Sequence, residues 1–250
     1  MEERKNYLSR KAPRIKGAGY RGERLEQVTA ANIDDLYIVS SVSEPDFNYK
    51  VVDRFLVTGE SSHIGVNIVI NKTDLDGENL MDEWADLYKS IGYAVYLTSA
   101  ENGNGVAELK SSLAGKTSLF WGHSGVGKST LLNKMYPELD LRTGSISTFT
   151  DKGTHTTVTA EMIKVEPGTY IIDTPGIREV EPYGIRKEDL GHYFPEFLPY
   201  LNECKFNTCT HHHEPGCAVI EAVEEEKISL FRYDSYLRIL DTIEDDINFR

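Results

Sequence analysis

The chain has 250 residues, 40% of them apolar and 27% charged, the make-up of a globular protein with one main domain and smaller attachments. No apolar run approaches the roughly 20 residues that span a bilayer, and the opening MEERKNYLSRKAPRIKG lacks the apolar stretch of a secretory signal, so a cytoplasmic protein without membrane attachment is expected. A formal charge of −13 argues against nonspecific nucleic-acid binding by the surface as a whole, although a local basic patch remains compatible with it.

Residues 1–24 supply such a patch through Arg4, Lys5, Arg10, Lys11, Arg14, Lys16, Arg21 and Arg24, set against Glu2, Glu3 and Glu23. Composition alone fits a solvated arm equally well. The glycine-rich GAGYRG (17–22) separates this arm from LYIVSSV (36–42), a β-branched run that predicts a buried strand. After Pro45, helical spacing through Val51, Val52, Phe55 and Leu56 predicts a helix over 48–62. IGVNIVI (64–70) predicts a second strand, 78–91 a helix, YAVYLTSA (93–100) a third strand, 105–113 a short helix and TSLFWG (117–122) a fourth strand. A helix begins near Lys128, and a threonine-rich loop covers about 138–154. Strands follow at 156–165 and 169–173 around the Glu-Pro-Gly turn at 166–168, and helices at 218–226 and 229–245. Alternating strands and helices imply an α/β domain with a mostly parallel sheet covered on both faces. In the last helix Phe231, Tyr233, Tyr236, Leu237 and Leu240 are expected to be packing residues.

The fourth strand runs into Gly122-His123-Ser124-Gly125-Val126-Gly127-Lys128-Ser129-Thr130, which fits the phosphate-loop pattern G-x-x-x-x-G-K-S. Glycines let the backbone approach phosphate closely, and successive N–H groups at a helix N-terminus favour the anion. Lys128 would reach the β- and γ-phosphates and Ser129 would ligate Mg²⁺. Asn71-Lys72-Thr73-Asp74 follows the second strand, where ligands of open α/β sheets gather. Asp74 could accept from guanine N1–H and the exocyclic amine, which adenine does not offer in that place, while Asn71 and Lys72 would support the loop and cover the base. Thr98-Ser99-Ala100 would set backbone N–H groups near guanine O6.

Asp173-Thr174-Pro175-Gly176 ends the last strand of the domain, where Asp173 could reach Mg²⁺ through water and the Gly176 N–H could contact the γ-phosphate. Thr156 or Thr157 is the candidate for the remaining Mg²⁺ ligand. Ile177 stands where many GTPases carry a water-orienting glutamine; an aliphatic side chain cannot hydrogen-bond water, so slow intrinsic hydrolysis is expected, with a partner or a rearranged loop supplying the missing group. His155 is a candidate substitute within the chain, and no residue is assigned as certainly catalytic. The base-reading motifs precede the phosphate loop here, which is the order of the circularly permuted GTPases; permutation is tolerated where chain ends lie close together.

All the cysteines, Cys204, Cys209 and Cys217, fall within 14 residues. Three thiols and an imidazole suit zinc in tetrahedral geometry, with His211, His212 or His213 as the fourth ligand. The alternative is three buried cysteines beside a polar histidine turn. A closed four-ligand site would be structural, giving a small domain a core that it otherwise lacks.

Taken together, NKTD, TSA, GHSGVGKST, THTT and DTPGIRE, followed by C-x4-C-x-H-x5-C with EPGCAV, resemble the RsgA family of circularly permuted GTPases, as do AANID (30–34) and RYDSYLRIL (232–240). The resemblance implies a GTPase of late small-subunit (30S) maturation that is stimulated by the subunit and released on hydrolysis. It also implies one structural Zn²⁺ held by Cys204, Cys209, His211 and Cys217, and Mg²⁺ with GTP. GTP or GDP, the small ribosomal subunit and its rRNA are the expected partners, and a monomer is expected. Family members carry an N-terminal OB-fold, but only residues 1–29 precede AANID, too few for a five-stranded barrel. They are expected to be a basic arm holding the remnant of its last strand and linker. Residues 30–185 would then form the permuted GTPase domain, and 186–250 a small zinc-binding helical domain. A rival reading is a GTP-binding switch or interaction module with negligible turnover.

Overall fold

Runs of consecutive apolar residues suit strands covered on both faces, and the chain places them so. The computed structural model describes residues 7–11, 26–141, 161–173 and 184–243. Among these, β3 (Asp35–Ser41), β4 (Gly65–Asn71), β5 (Ala94–Leu97), β6 (Thr117–Trp121), β7 (Glu161–Glu166) and β8 (Thr169–Asp173) form a six-stranded sheet in the order β5-β4-β3-β6-β8-β7. All neighbours are parallel except β7, which runs antiparallel to β8. Alternate residues of β3 divide between two cores: Leu36 and Ile38 face α1 (Tyr49–Ser61) and α2 (Leu80–Ser90), whereas Tyr37 and Val39 face α3 (Val106–Ser112) and α4 (Lys128–Met135).

Strand order reverses across β3. The chain moves outward through β4 and β5, then returns to the other side of β3 for β6 and β8. Ligands of open parallel sheets sit at such a point, outside the carboxyl ends of the strands. The ends of β3, β4, β5 and β6 therefore bring residues 40–48, 71–75, 98–104 and 122–128 to one rim of the sheet.

The third strand is shorter than the apolar run suggests, because beyond Thr98 the backbone leaves the ladder: Ser99 bonds the turn at 102–104 and Ala100 N–H bonds the Asn71 side chain. β1 (Tyr7–Lys11) and β2 (Glu26–Ala31) pair antiparallel in a small sheet of their own, and Leu8 is buried against the α1 side of the main core. β2 was not legible in EQVTAA, which offers no clean alternation. The expected glycine link at 17–22, and 156–160 of the expected strand, lie outside the described residues.

The C-terminal part begins with 3-10 turns at Lys187–Tyr193, Pro195–Phe197 and Leu201–Glu203, followed by α5 (Ala218–Glu224) and α6 (Leu230–Leu240). Its core contains Leu190, Phe194, Phe197, Val219, Tyr236 and Ile239, and it takes in Val57 of α1. Arg232 on α6 is 1% exposed and pairs with the wholly buried Asp53 of α1 and, at 2.6 Å, with Glu196. The Tyr88 hydroxyl of α2 donates to the same Asp53 carboxylate at 2.8 Å. A buried ion cluster thus stitches this region onto the sheet domain. One expectation for α6 is corrected: its buried row is Arg232, Ser235, Tyr236, Ile239 and Leu240, at helical i, i+3, i+4 spacing, and Phe231 lies off that row, 52% exposed.

Candidate nucleotide site and metal cluster

The turn from β6 into α4 carries the phosphate-loop residues. A Cβ on Gly122 would overlap the carbonyl oxygen of Val39, so only glycine lets this loop lie against the end of β3. Gly127 has φ +91°, and the side chain of Asn71 occupies the place its Cβ would take. Lys128 folds back over the loop, donating to the carbonyls of Gly122 at 2.6 Å and His123 at 3.1 Å. Ser129 and Thr130 follow in the first turn of α4.

Asn71 is 1% exposed and joins three segments. Its amide donates to the Val126 carbonyl at 3.0 Å. Its carbonyl oxygen accepts from the Thr98 hydroxyl and the Ala100 N–H, both at 3.2 Å. The phosphate loop, the end of β4 and the segment after β5 are thereby fixed to one another. Lys72 takes φ +64° and its ammonium donates to the carbonyls of Ser43 and Glu44. The Ser99 hydroxyl donates to the Asp74 carboxylate, which holds that exposed acid over the rim, and Thr73 N–H bonds the Thr98 carbonyl at 3.1 Å. Of the N–H groups expected near guanine O6, Thr98 donates to Ile70, Ser99 to Asn104 and Ala100 to Asn71.

Sequence reading missed one wall of this site. The turn Ser43–Asp46 lies against the phosphate loop, with Pro45 Cδ 3.5 Å from a Cβ position on Gly125, and Ser41 Oγ closes it by donating to the Pro45 carbonyl at 2.7 Å. A crevice of about 320 Å³ runs beside it, lined by Val39, Pro45, Asn48, Phe55, His123 and Ser124. Pro45 was the only signal in the sequence, and it marks a break in structure without indicating what the turn touches. Thr156, Thr157, His155, Gly176 and Ile177 lie outside the described residues; Asp173 closes β8, and its side chain is likewise outside the description.

Cys204, Cys209, His211 and Cys217 come together with their ligand atoms within 4.8 Å of one another. Cys204 Sγ lies 3.9 Å from Cys217 Sγ, and His211 Nδ1 lies 3.5 Å and 3.4 Å from the two sulfurs. Tetrahedral zinc, with Zn–S near 2.3 Å and Zn–N near 2.05 Å, requires separations of about 3.8 Å for S–S and about 3.5 Å for S–N. The donor set and its spacing fit zinc. Burial pushes the Cys209 and Cys217 thiols up and the His211 imidazole down, so the site favours neutral ligands until a cation takes them.

The loop is held from outside the ligand set. His211 has φ +54°, its carbonyl accepts from the Tyr233 hydroxyl at 2.8 Å, and the Thr210 carbonyl accepts from Tyr236 at 2.6 Å. Glu214 accepts from Thr210 N–H and Oγ1 and from the N–H groups of His212 and His213. Partial burial opposes its ionisation, but these hydrogen bonds win and hold its carboxyl well below the usual range. His212 and His213 are exposed and stand apart from the cluster.

A family model described as RsgA GTPase matches residues 1–182. The chain is 45% identical over 245 residues to the small ribosomal subunit biogenesis GTPase RsgA of Chlorobaculum parvum, covering 98% of this chain and 78% of that protein. It is 43% identical over 248 residues to RsgA 2 of Bacteroides thetaiotaomicron, covering 98% and 78%. Among solved structures, YjeQ from Thermotoga maritima superposes with a TM-score of 0.77 at 36% identity, over 96% of this chain and 76% of that one. YloQ, described as a circularly permuted GTPase, superposes with a TM-score of 0.72 at 32% identity, over 96% and 72%.

Proposed function

The chain belongs to the RsgA GTPase family, and we propose that it is a GTP hydrolase of small-ribosomal-subunit biogenesis whose turnover is stimulated by the subunit and coupled to its own release. The family assignment gives the GTPase activity and the small-subunit setting, and it disfavours a binding module without turnover. The fold is that of a circularly permuted GTPase. What carries the site reading is Asn71, which ties the base-reading segments to the phosphate loop through a single buried side chain.

Asp74 reads guanine, with Ser99 fixing its carboxylate and Lys72 bracing the loop. Residues 122–130 cradle the phosphates, and Lys128 exchanges its two loop carbonyls for β- and γ-phosphate oxygens. Mg²⁺ suits the hard oxygen donors of Ser129, of Thr156 or Thr157, and of Asp173 through water; when bound it neutralises charge on the phosphate oxygens. The Gly176 N–H would contact the γ-phosphate. With Ile177 at the glutamine position, the group that orients water comes from the subunit or from a switch rearrangement that the subunit induces. Cys204, Cys209, His211 and Cys217 hold one structural zinc. Residues 30–185 act as the permuted GTPase domain and 186–250 as a zinc-binding helical domain, with 1–29 as a basic arm able to touch rRNA phosphates.

Co-sedimentation with purified small subunits tests the coupling. The protein should pellet with subunits when loaded with a non-hydrolysable GTP analogue and leave them when loaded with GDP. Equal pelleting in both states contradicts coupled release.

A further inference from the structure

Three helices from opposite ends of the chain meet at an aromatic surface that nothing in the nucleotide or metal sites uses. Trp84 of α2 lies between Tyr49 of α1, stacked at 5.1 Å and 16°, and Phe231 of α6 at 5.0 Å, while Tyr49 and Phe231 meet edge-on at 5.4 Å. Leu80 precedes Trp84 by one turn on the same face of α2, and Leu230 precedes Asp234 by one turn on α6, where Asp234 receives the Tyr49 hydroxyl at 3.0 Å. Leu80 is 50% exposed, Phe231 52% and Leu230 68%. Single exposed apolar residues are ordinary, but a contiguous patch built on stacked rings is what interfaces use as an anchor.

The charge around the patch identifies its occupant. Glu83 borders the Leu80–Trp84 row on α2 and Asp86 follows Glu83 at i+3, extending the acidic row away from the rings; both are exposed. The cations at the opposite rim, Lys50 and Arg238, are both engaged by Asp234, at 3.4 Å and 2.9 Å. The whole chain carries −13. A nucleic-acid backbone would bring phosphate onto Glu83 and Asp86, and a two-fold dimer would bring each acidic row onto its copy. A helix with an apolar stripe flanked by lysine or arginine satisfies both the patch and its border.

We propose that the surface formed by Tyr49, Leu80, Trp84, Leu230 and Phe231, bordered by Glu83 and Asp86, docks a basic amphipathic segment of a partner protein. It goes beyond the proposed function and does not depend on it. Because the joined helices belong to both the sheet domain and the C-terminal region, a segment bound there clamps the two together.

Trp84 reports binding directly, since the other tryptophan, Trp121, is 0% exposed. The full-length protein is titrated with a synthetic lysine–leucine amphipathic helix, its glutamate–leucine counterpart, and a uridine oligonucleotide of similar length, at physiological salt. The lysine–leucine helix should shift and saturate the Trp84 emission, while the other two leave it unchanged. Leu230→Ser with Phe231→Ser, and separately Glu83→Lys with Asp86→Lys, should each weaken binding at least about tenfold. Glu224→Lys on the exposed face of α5 should change it less than about twofold. Intrinsic GTP hydrolysis should be unaltered in all of them, which shows that they fold. Absence of a shift with the cationic helix, equal weakening by Glu224→Lys, a comparable shift with the oligonucleotide, or self-association abolished by Leu230→Ser with Phe231→Ser would each overturn the proposal.

Discussion

The side-chain amide of Asn71 reaches the backbone carbonyl of Val126 at 3.0 Å, across 55 residues of sequence and between the Asn71–Asp74 motif and the phosphate-loop sequence of residues 122–130. Asn71 is better described as a joint of the site than as a ligand contact. Asn71→Ala leaves the Val126 carbonyl and the Ala100 N–H without this partner in a place that excludes water. Loss of about 2–4 kcal/mol of folding stability is expected, together with at least about tenfold weaker guanine-nucleotide binding. Denaturant unfolding of the nucleotide-free protein separates the two effects, because a residue that only touched ligand would leave that curve unchanged.

Asp74 gives a test of base identity. If Asp74 reads the base, its carboxylate accepts from two donors on guanine; Ser99 already fixes one of its oxygens. Asp74→Asn presents a donor where guanine also presents one, so GTP affinity should fall about 100-fold. Xanthosine triphosphate, with a carbonyl in place of the exocyclic amine, should recover much of the loss. Competition titrations with GTP, xanthosine triphosphate and ATP read this out; unchanged GTP binding removes Asp74 from the base site.

Metal content tests the Cys204, Cys209, His211 and Cys217 cluster. Elemental analysis of the purified protein should give one zinc per chain, and none in Cys209→Ser with Cys217→Ser. Cys209 and Cys217 lie in the same core as Phe197, Val219 and Tyr236, so loss of the ion should lower the melting temperature through the C-terminal region. Guanine-nucleotide affinity should change little, because among the described residues none of the four cluster residues is recorded against the rim of the sheet.

Arg232 carries a pH signature. Burial pushes the Asp53 carboxyl up, and the Arg232 guanidinium opposes this. Arg232→Met leaves Asp53 and Glu196 buried without their cation and should cost about 3–5 kcal/mol at neutral pH. In that variant the folded-state pKa of Asp53 lies above its unfolded value. The protonated acid's contribution is therefore fully present below the unfolded pKa and is lost as pH rises through the folded one. The stability gap to the parent protein should narrow as pH falls from 7 toward 5 in denaturant titrations. A gap independent of pH argues that Arg232 acts through its packing over Phe194 alone.

Much of the sheet and the site could be read from residues alone, for identifiable reasons. LYIVSSV and IGVNIVI announce strands because burial on both faces demands unbroken apolar runs. The glycines of residues 122–127 announce a close backbone approach because no other residue fits there. What stayed hidden was carried by contacts without local pattern. The Ser43–Asp46 turn meets the phosphate loop only in three dimensions, and Arg232 finds Asp53 across 179 residues. The 3-10 turns of 187–203 have neither the length nor the spacing of a helix and are held by the aromatic core around Phe194 and Phe197. Phe231 shares α6 with the buried row but sits off its face, which a list of apolar residues conceals.

The most direct test of the whole account is steady-state phosphate release from GTP by the purified protein alone, with small ribosomal subunits, and with large subunits. Slow release alone, no change with large subunits, and at least about tenfold acceleration with small subunits are the expected results. Rapid release by the isolated protein, or equal rates in all three conditions, would contradict that expectation.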